Sequence, residues 1–220
     1  MRPCIAILGG SFDPAHLGHV ALGRHVHSAL QADELRLLPV GCPWQKGGLQ
    51  ASCEQRLAML QLAFAETGLP LYFDQRELHQ QSPNYTVQTL QQMRAELGPQ
   101  VAMVFVIGAD QWQRLHTWRE WPRLFELAHL AVAMRPGFTI QGEAQAQARL
   151  ADLAQLRTQP FGSAVQLPPM AHPASATRVR ELLQNQGAHL APAVQEELAQ
   201  LLPAKVLDYI QYHQLYRHGN

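Results

Sequence analysis

Gly9-Gly10-Ser11-Phe12-Asp13-Pro14-Ala15-His16-Leu17-Gly18-His19 follows directly on an apolar, β-prone run at Cys4 to Leu8. A strand that ends in two glycines and gives way to a helical pattern opens a β–α unit. The glycines let the backbone turn sharply and bare its N–H groups, and Asp13-Pro14 predicts a cap followed by the first helical residue. The predicted helix, His16 to Leu30, therefore starts just past the carboxyl end of a strand. Its unpaired N–H groups and positive dipole end both favour phosphate oxygens. His16 and His19, three residues apart, share one helix face and can aim ring N–H groups at a polyphosphate over the first turn. Gly18 between them leaves room for a flat base. Chance spacing among 11 histidines, a core hydrogen bond and part of a metal site are the competing readings of this pair.

Outward from this turn, further apolar runs at Leu35 to Val40, Val101 to Ile107 and Leu130 to Met134 read as buried strands, with Leu71 to Phe73 and Ala164 to Leu167 as weaker candidates. Between and after them, Glu54 to Ala65, Thr86 to Leu97, Trp118 to Leu127, Ser175 to Gln184 and Pro203 to Tyr212 carry helical spacing. Gly142 to Gln159, rich in Ala and Gln, reads as a surface helix. The alternation predicts an α/β fold, a Rossmann-like doubly wound parallel sheet with a helical C-terminal portion from about residue 168 to 220. In such sheets ligands bind at the carboxyl ends of the strands. Neither GxGxxG in the first turn nor GxxxxGK[ST] anywhere is present, which disfavours a dinucleotide-binding dehydrogenase and a P-loop NTPase.

The 220 residues, 47% of them hydrophobic, are enough for a core, and residues 1–220 are expected to form a single domain. Seventeen basic residues balance seventeen acidic ones, so no global field attracts a nucleic acid. The three cysteines form no CxxC pair and suggest neither a disulfide framework nor a zinc site. The apolar run at the start stops at Gly9, too short for a signal segment or a membrane span. A cytoplasmic protein that binds neither membrane nor nucleic acid is expected.

The turn resembles the nucleotidyltransferase superfamily with the (H/T)xGH signature, and the wider chain is similar to the bacterial nicotinate-nucleotide adenylyltransferase family. The resemblance extends through Ser82-Pro83-Asn84-Tyr85-Thr86-Val87, Ile107-Gly108-Ala109-Asp110, Leu115 to Trp121, Arg135-Pro136-Gly137, Ser175-Ala176-Thr177-Arg178-Val179-Arg180 and Val206 to Ile210. It implies transfer of AMP from ATP to nicotinate mononucleotide, with deamido-NAD and pyrophosphate as products in NAD biosynthesis. It also implies Mg2+ carried by the ATP phosphates, with no metal site of the protein's own. The attacking phosphate is already ionised at neutral pH, so alignment and charge stabilisation suffice without a general base.

By the same resemblance, Gly9, Gly10, Ser11 and Phe12 would hold ATP through the backbone, and His16 and His19 would contact its phosphates, His19 as the leading catalytic residue. Gly18, Lys46 and Asp110 would also contact ATP, with Asp110 on the adenosine side. Ser175, Thr177 and Arg180 would grip the β and γ phosphates. Trp118 would stack on the pyridine ring, and Tyr85, Thr86 and Arg119 would receive its carboxylate. Other readings stay open: a capping serine with exposed arginines, a turn-forming Asp110, a core or surface-helix Trp118, and a plain helix start at Tyr85-Thr86. Pro43-Trp44-Gln45-Lys46 departs from the family's Pro-Pro-His-Lys, and Gln88 stands where an acidic residue is common. The alternatives are the same reaction on nicotinamide mononucleotide, another superfamily enzyme such as a pantetheine-phosphate adenylyltransferase, and a non-catalytic nucleotide sensor.

Overall fold

The chain is described from a computed structural model that covers residues 1–41, 49–78, 80, 84–134, 149–184 and 190–217. The strands are β1 (Cys4–Gly10), β2 (Glu34–Pro39), β3 (Leu71–Phe73), β4 (Ala102–Gly108), β5 (His129–Ala133), β6 (Arg149–Leu150) and β7 (Ser163–Gln166). They form one sheet in the order β3-β2-β1-β4-β5-β7-β6, and each recorded pairing is parallel. The direction of winding reverses between β1 and β4, so a crevice opens there beyond the carboxyl ends, at Gly10 and Gly108.

Alternate residues of each central strand supply opposite faces. Ala6, Leu8, Val104 and Val106 join one apolar cluster, and Ile5, Ile7, Met103, Phe105 and Ile107 the other. The first face is covered by α1 (Leu17–Leu30), α2 (Cys53–Phe64), α7 (Ala176–Gln184), α8 (Pro192–Leu201) and α9 (Ala204–Tyr212). The second is covered by α3 (Thr86–Leu97), α4 (Ala109–Gln113) and α5 (Leu124–Leu127). A short α6 (Leu153–Leu156) precedes β7. Arg36 of β2, itself 4% exposed, pairs with Glu34 at 2.6 Å and with Glu96 of α3 at 2.9 Å, which ties α3 to the sheet.

Three sequence expectations are corrected. Helix α1 starts at Leu17 with His16 as its cap, and Asp13-Pro14 is a cis peptide in the preceding turn. The Asp13 carboxylate is occupied elsewhere, accepting the N–H groups of Gln50 and Ala51, so it does not cap α1. Trp118 to Leu127 is not one helix: Trp118 is extended, Glu120 is left-handed, Trp121–Arg123 is a 3-10 turn containing Pro122, and α5 follows. Among the described residues of the Ala- and Gln-rich stretch, Arg149–Leu150 adds to the sheet edge and the helix is α6. Residues 142–148 of that stretch lie outside the described residues, as do Lys46 with its loop and Arg135 to Gly137. Helices α4 and α8 were not expected from the sequence.

Candidate active site

A cavity of about 260 Å³ lies over the crevice. His16, Gly18, His19 and Leu22 line it from α1 and its cap, and Gly108, Ala109 and Asp110 from the end of β4 and the start of α4. Met134, Pro168, Met170 and His172 complete the lining. Apolar Leu22, Met134, Pro168 and Met170 suit a flat base, and the histidine end suits a polar, anionic group.

The imidazoles of His16 and His19 stack with centroids 3.7 Å apart. His19 Nδ1 accepts the backbone N–H of His16 at 3.2 Å, so the neutral ring carries its hydrogen on Nε2. Burial, with the charge His172 can carry as a smaller cause, pushes the His16 imidazole down to about 4. Burial and the neighbouring His16 hold His19 well below the usual imidazole range. At neutral pH the pair therefore offers N–H dipoles rather than positive charge. Phe12 supports His19 from beneath: its ring is fully buried, edge-on to His19 at 4.8 Å, and its backbone is left-handed at φ 49°. A Cβ on Gly18 would lie 2.9 Å from the His16 ring and 3.0 Å from the Ala174 carbonyl oxygen. Glycine is thus required there by the protein's own atoms as well as by any base.

Distant segments converge on the turn between β1 and α1. Arg180 of α7 donates from Nη1 to the Asp13 carbonyl at 2.5 Å, and its Nη2 lies 3.4 Å from the Thr177 hydroxyl. The two phosphate-gripping segments proposed from sequence therefore meet. Ser175 accepts the Arg178 N–H at 3.2 Å and caps α7, while Arg178 turns away to Glu197. Ser175 and Thr177 are exposed and Arg180 is half-buried. Asp110 is exposed in the first turn of α4, and a Cβ on Gly108 would stand 2.6 Å from its Oδ1.

Two supports of this turn carry no short-range sequence signal. Fully buried Arg56 of α2 donates to the Ser11 carbonyl at 2.8 Å and to the Gly41 carbonyl at 3.2 Å, lacing the loops after β1 and β2 together. Tyr216 donates its hydroxyl to Asp13 Oδ1 at 2.6 Å. Burial, then this bond, raise the Tyr216 phenol far above its ordinary range, so it remains a donor. Tyr216→Phe is expected to remove a hydrogen bond to a buried carboxylate and cost about 2 kcal/mol. Differential scanning calorimetry should show this as a melting temperature about 4–8 °C lower.

Tyr85, Thr86, Trp118 and Arg119 do not line the cavity but form a neighbouring patch. Arg119 lies over the Tyr85 ring at 4.6 Å, and Tyr85 caps α3, whose first residue is Thr86. Half-buried Trp118 meets the Phe105 ring at 6.4 Å, and that ring is also the nearest neighbour a Cβ on Gly9 would meet, at 3.6 Å. Phe105 thus links the patch to the Gly9-Gly10 end of β1. Gln88 is exposed on α3.

A family profile for cytidylyltransferase-like proteins matches residues 7–182. The chain is 43% identical over 221 residues to the protein named "Probable nicotinate-nucleotide adenylyltransferase" in Herminiimonas arsenicoxydans, covering 97% of each. It is 43% identical over 226 residues to the protein of the same name in Laribacter hongkongensis, covering 98% of this chain and 96% of the relative. In fold it is similar to the Plasmodium falciparum nicotinic acid mononucleotide adenylyltransferase complexed with NaAD, with a TM-score of 0.71 at 18% identity and 98% of each chain covered. The fold and site define a nucleotidyltransferase. The chain belongs to the nicotinate-nucleotide adenylyltransferase family.

Proposed function

We propose that this enzyme transfers AMP from ATP to nicotinate mononucleotide, yielding nicotinate adenine dinucleotide and pyrophosphate. The observation that carries the reading is the 2.5 Å bond from Arg180 to the Asp13 carbonyl, because it sets α7 beside the turn that bears His16 and His19. ATP lies with its base toward Leu22 and Met170, near Asp110, and with its phosphates between the histidines, the Gly9 to Phe12 backbone and Ser175, Thr177 and Arg180. Lys46 belongs to the same set by its place in the family pattern.

The acceptor occupies the Tyr85, Thr86, Trp118 and Arg119 patch, with its ring on Trp118 and its carboxylate toward Arg119 and the N–H groups that open α3. An oxygen of its phosphate attacks the α-phosphorus of ATP. A new O–P bond forms as the bond to the β-phosphate oxygen breaks, and pyrophosphate leaves with that electron pair. No proton moves in this step. His19 Nε2–H and Arg180 stabilise the charge that accumulates on the phosphates.

Among the described residues no three His, Cys, Asp or Glu side chains are grouped to hold a metal ion. Mg2+ in this reading travels on the polyphosphate and supplies charge neutralisation there. One domain with its helical C-terminal part is supported by α7, α8 and α9 entering the same apolar cluster as β1, α1 and α2. A cytoplasmic location is supported by the free thiols Cys4 and Cys53, and among the described residues no helix is long and apolar enough to cross a membrane.

Pyrophosphate release from ATP and Mg2+ tests the reading, with nicotinate mononucleotide, nicotinamide mononucleotide and phosphopantetheine compared at equal concentration. Strong release with the first is expected. Release with phosphopantetheine alone would overturn the acceptor pocket, release with the amide alone would overturn the carboxylate contact, and ATP binding without release would mark a sensor.

A further inference from the structure

The cavity wall facing α1 carries an imidazole that lies outside the sequence motifs. His172 sits between β7 and α7, half-buried, and lines the same cavity as His16 and His19. Its Nδ1 accepts the Ala174 N–H at 3.1 Å, which fixes the ring and, in the neutral form, puts the hydrogen on Nε2. The Ala174 carbonyl in turn abuts Gly18, 3.0 Å from where a Cβ there would stand, so the segment bearing His172 is packed directly on the start of α1. His172 is close enough that the charge it can carry contributes to holding the His16 imidazole down.

His16 is 7% exposed and its Nδ1 has no hydrogen-bond partner among the described residues. A cavity that His16, His19 and His172 all line suits a ligand that bears hydrogen-bonding groups along its length. A triphosphate is such a ligand, with acceptor oxygens all along its length.

We propose that His172 is a third imidazole contact to the triphosphate of ATP, donating from Nε2 into the cavity that His16 and His19 also line. The inference rests on the reading of this cavity as the ATP site. The contact exists in the bound ground state as well as in the transition state, so its loss raises KM for ATP and leaves kcat nearly unchanged.

Asparagine and glutamine separate the ring's two roles. The side-chain oxygen of Asn, at the place of Nδ1, can still accept the Ala174 N–H but leaves no donor in the cavity, whereas the longer Gln carries an amide donor toward the position of Nε2. Steady-state kinetics with ATP, Mg2+ and nicotinate mononucleotide are expected to show KM for ATP raised about three- to tenfold in His172→Asn and largely restored in His172→Gln. Both variants should keep kcat and the acceptor KM within about twofold of the parent. The proposal is overturned if KM for ATP in His172→Asn stays within about twofold of the parent, or if both KM values rise together with a fall in melting temperature, the mark of a purely structural role. His19→Ala, measured alongside, separates the two levels. A normal rate in that variant rejects the ATP site itself, while its collapse beside an unaffected His172→Asn rejects the His172 contact alone.

Discussion

His19→Ala is expected to fold and to turn over about 100-fold to 1000-fold more slowly, the usual cost of removing one preorganised donor from a site of developing charge. The ring's preorganisation is visible in its fixed tautomer. Nδ1 is committed to the His16 N–H at 3.2 Å, and the ring is held between His16 at 3.7 Å and Phe12 at 4.8 Å. Nε2–H is therefore aimed before ATP arrives and needs no reorganisation at the moment of transfer. Single-turnover formation of the dinucleotide at saturating ATP measures the effect on chemistry, and a melting curve checks the fold. A rate within about threefold of the parent would remove His19 from the mechanism.

Arg56→Met is expected to have the largest effect on stability. The guanidinium is fully buried and donates to two main-chain carbonyls, of Ser11 and Gly41, which a methionine cannot do. A buried acceptor left unmatched costs about 1–3 kcal/mol, so the pair should cost about 2–5 kcal/mol after allowing for the charge no longer buried. Urea denaturation should show a lower midpoint at an unchanged slope. Arg56→Lys should lie between the two, because a single ammonium group lacks the planar fork that reaches both carbonyls. Since Ser11 belongs to the turn proposed to receive ATP, KM for ATP should rise in both variants while the acceptor KM follows less.

Much of this architecture was legible in the chain. The runs that became β1, β2, β4 and β5 are apolar without alternation because both faces of a central parallel strand are buried. Short strands at or next to the sheet edges carry weaker signals: β3 is an edge strand of three residues, and β7, of four, has only the two-residue β6 beyond it. Helix α8 was missed because only Leu198 and Leu201 of its ten residues are buried, although Pro192 at its start is a helix-opening signal. The segment after Trp118 was read as a helix from the spacing of its apolar residues, and the left-handed Glu120 followed by Pro122 interrupts it. Asp13-Pro14 matches a cap pattern, but a carboxylate held by Gln50, Ala51 and Tyr216 is not available to α1. Motif residues that lie close in sequence could be found; their supports could not. Arg56 acts 45 residues from Ser11 and Tyr216 acts 203 residues from Asp13, and no local pattern encodes such a pairing. His172 carries no local signal for the same reason, since only the fold brings it to the cavity that His16 lines.

The bond from Tyr216 to Asp13 also bears on the order of assembly. It closes the longest loop among the described side-chain contacts of the turn, 203 residues, after the sheet and α9 have brought its ends together. On the ribosome the turn waits for the synthesis of 203 further residues before Tyr216 can reach it. A nascent chain can thus build β1 and α1 early, yet the nucleotide corner stays unfinished until α7 and the segment after α9 have docked. The geometry of this corner is thus a property of the whole fold rather than of the local motif.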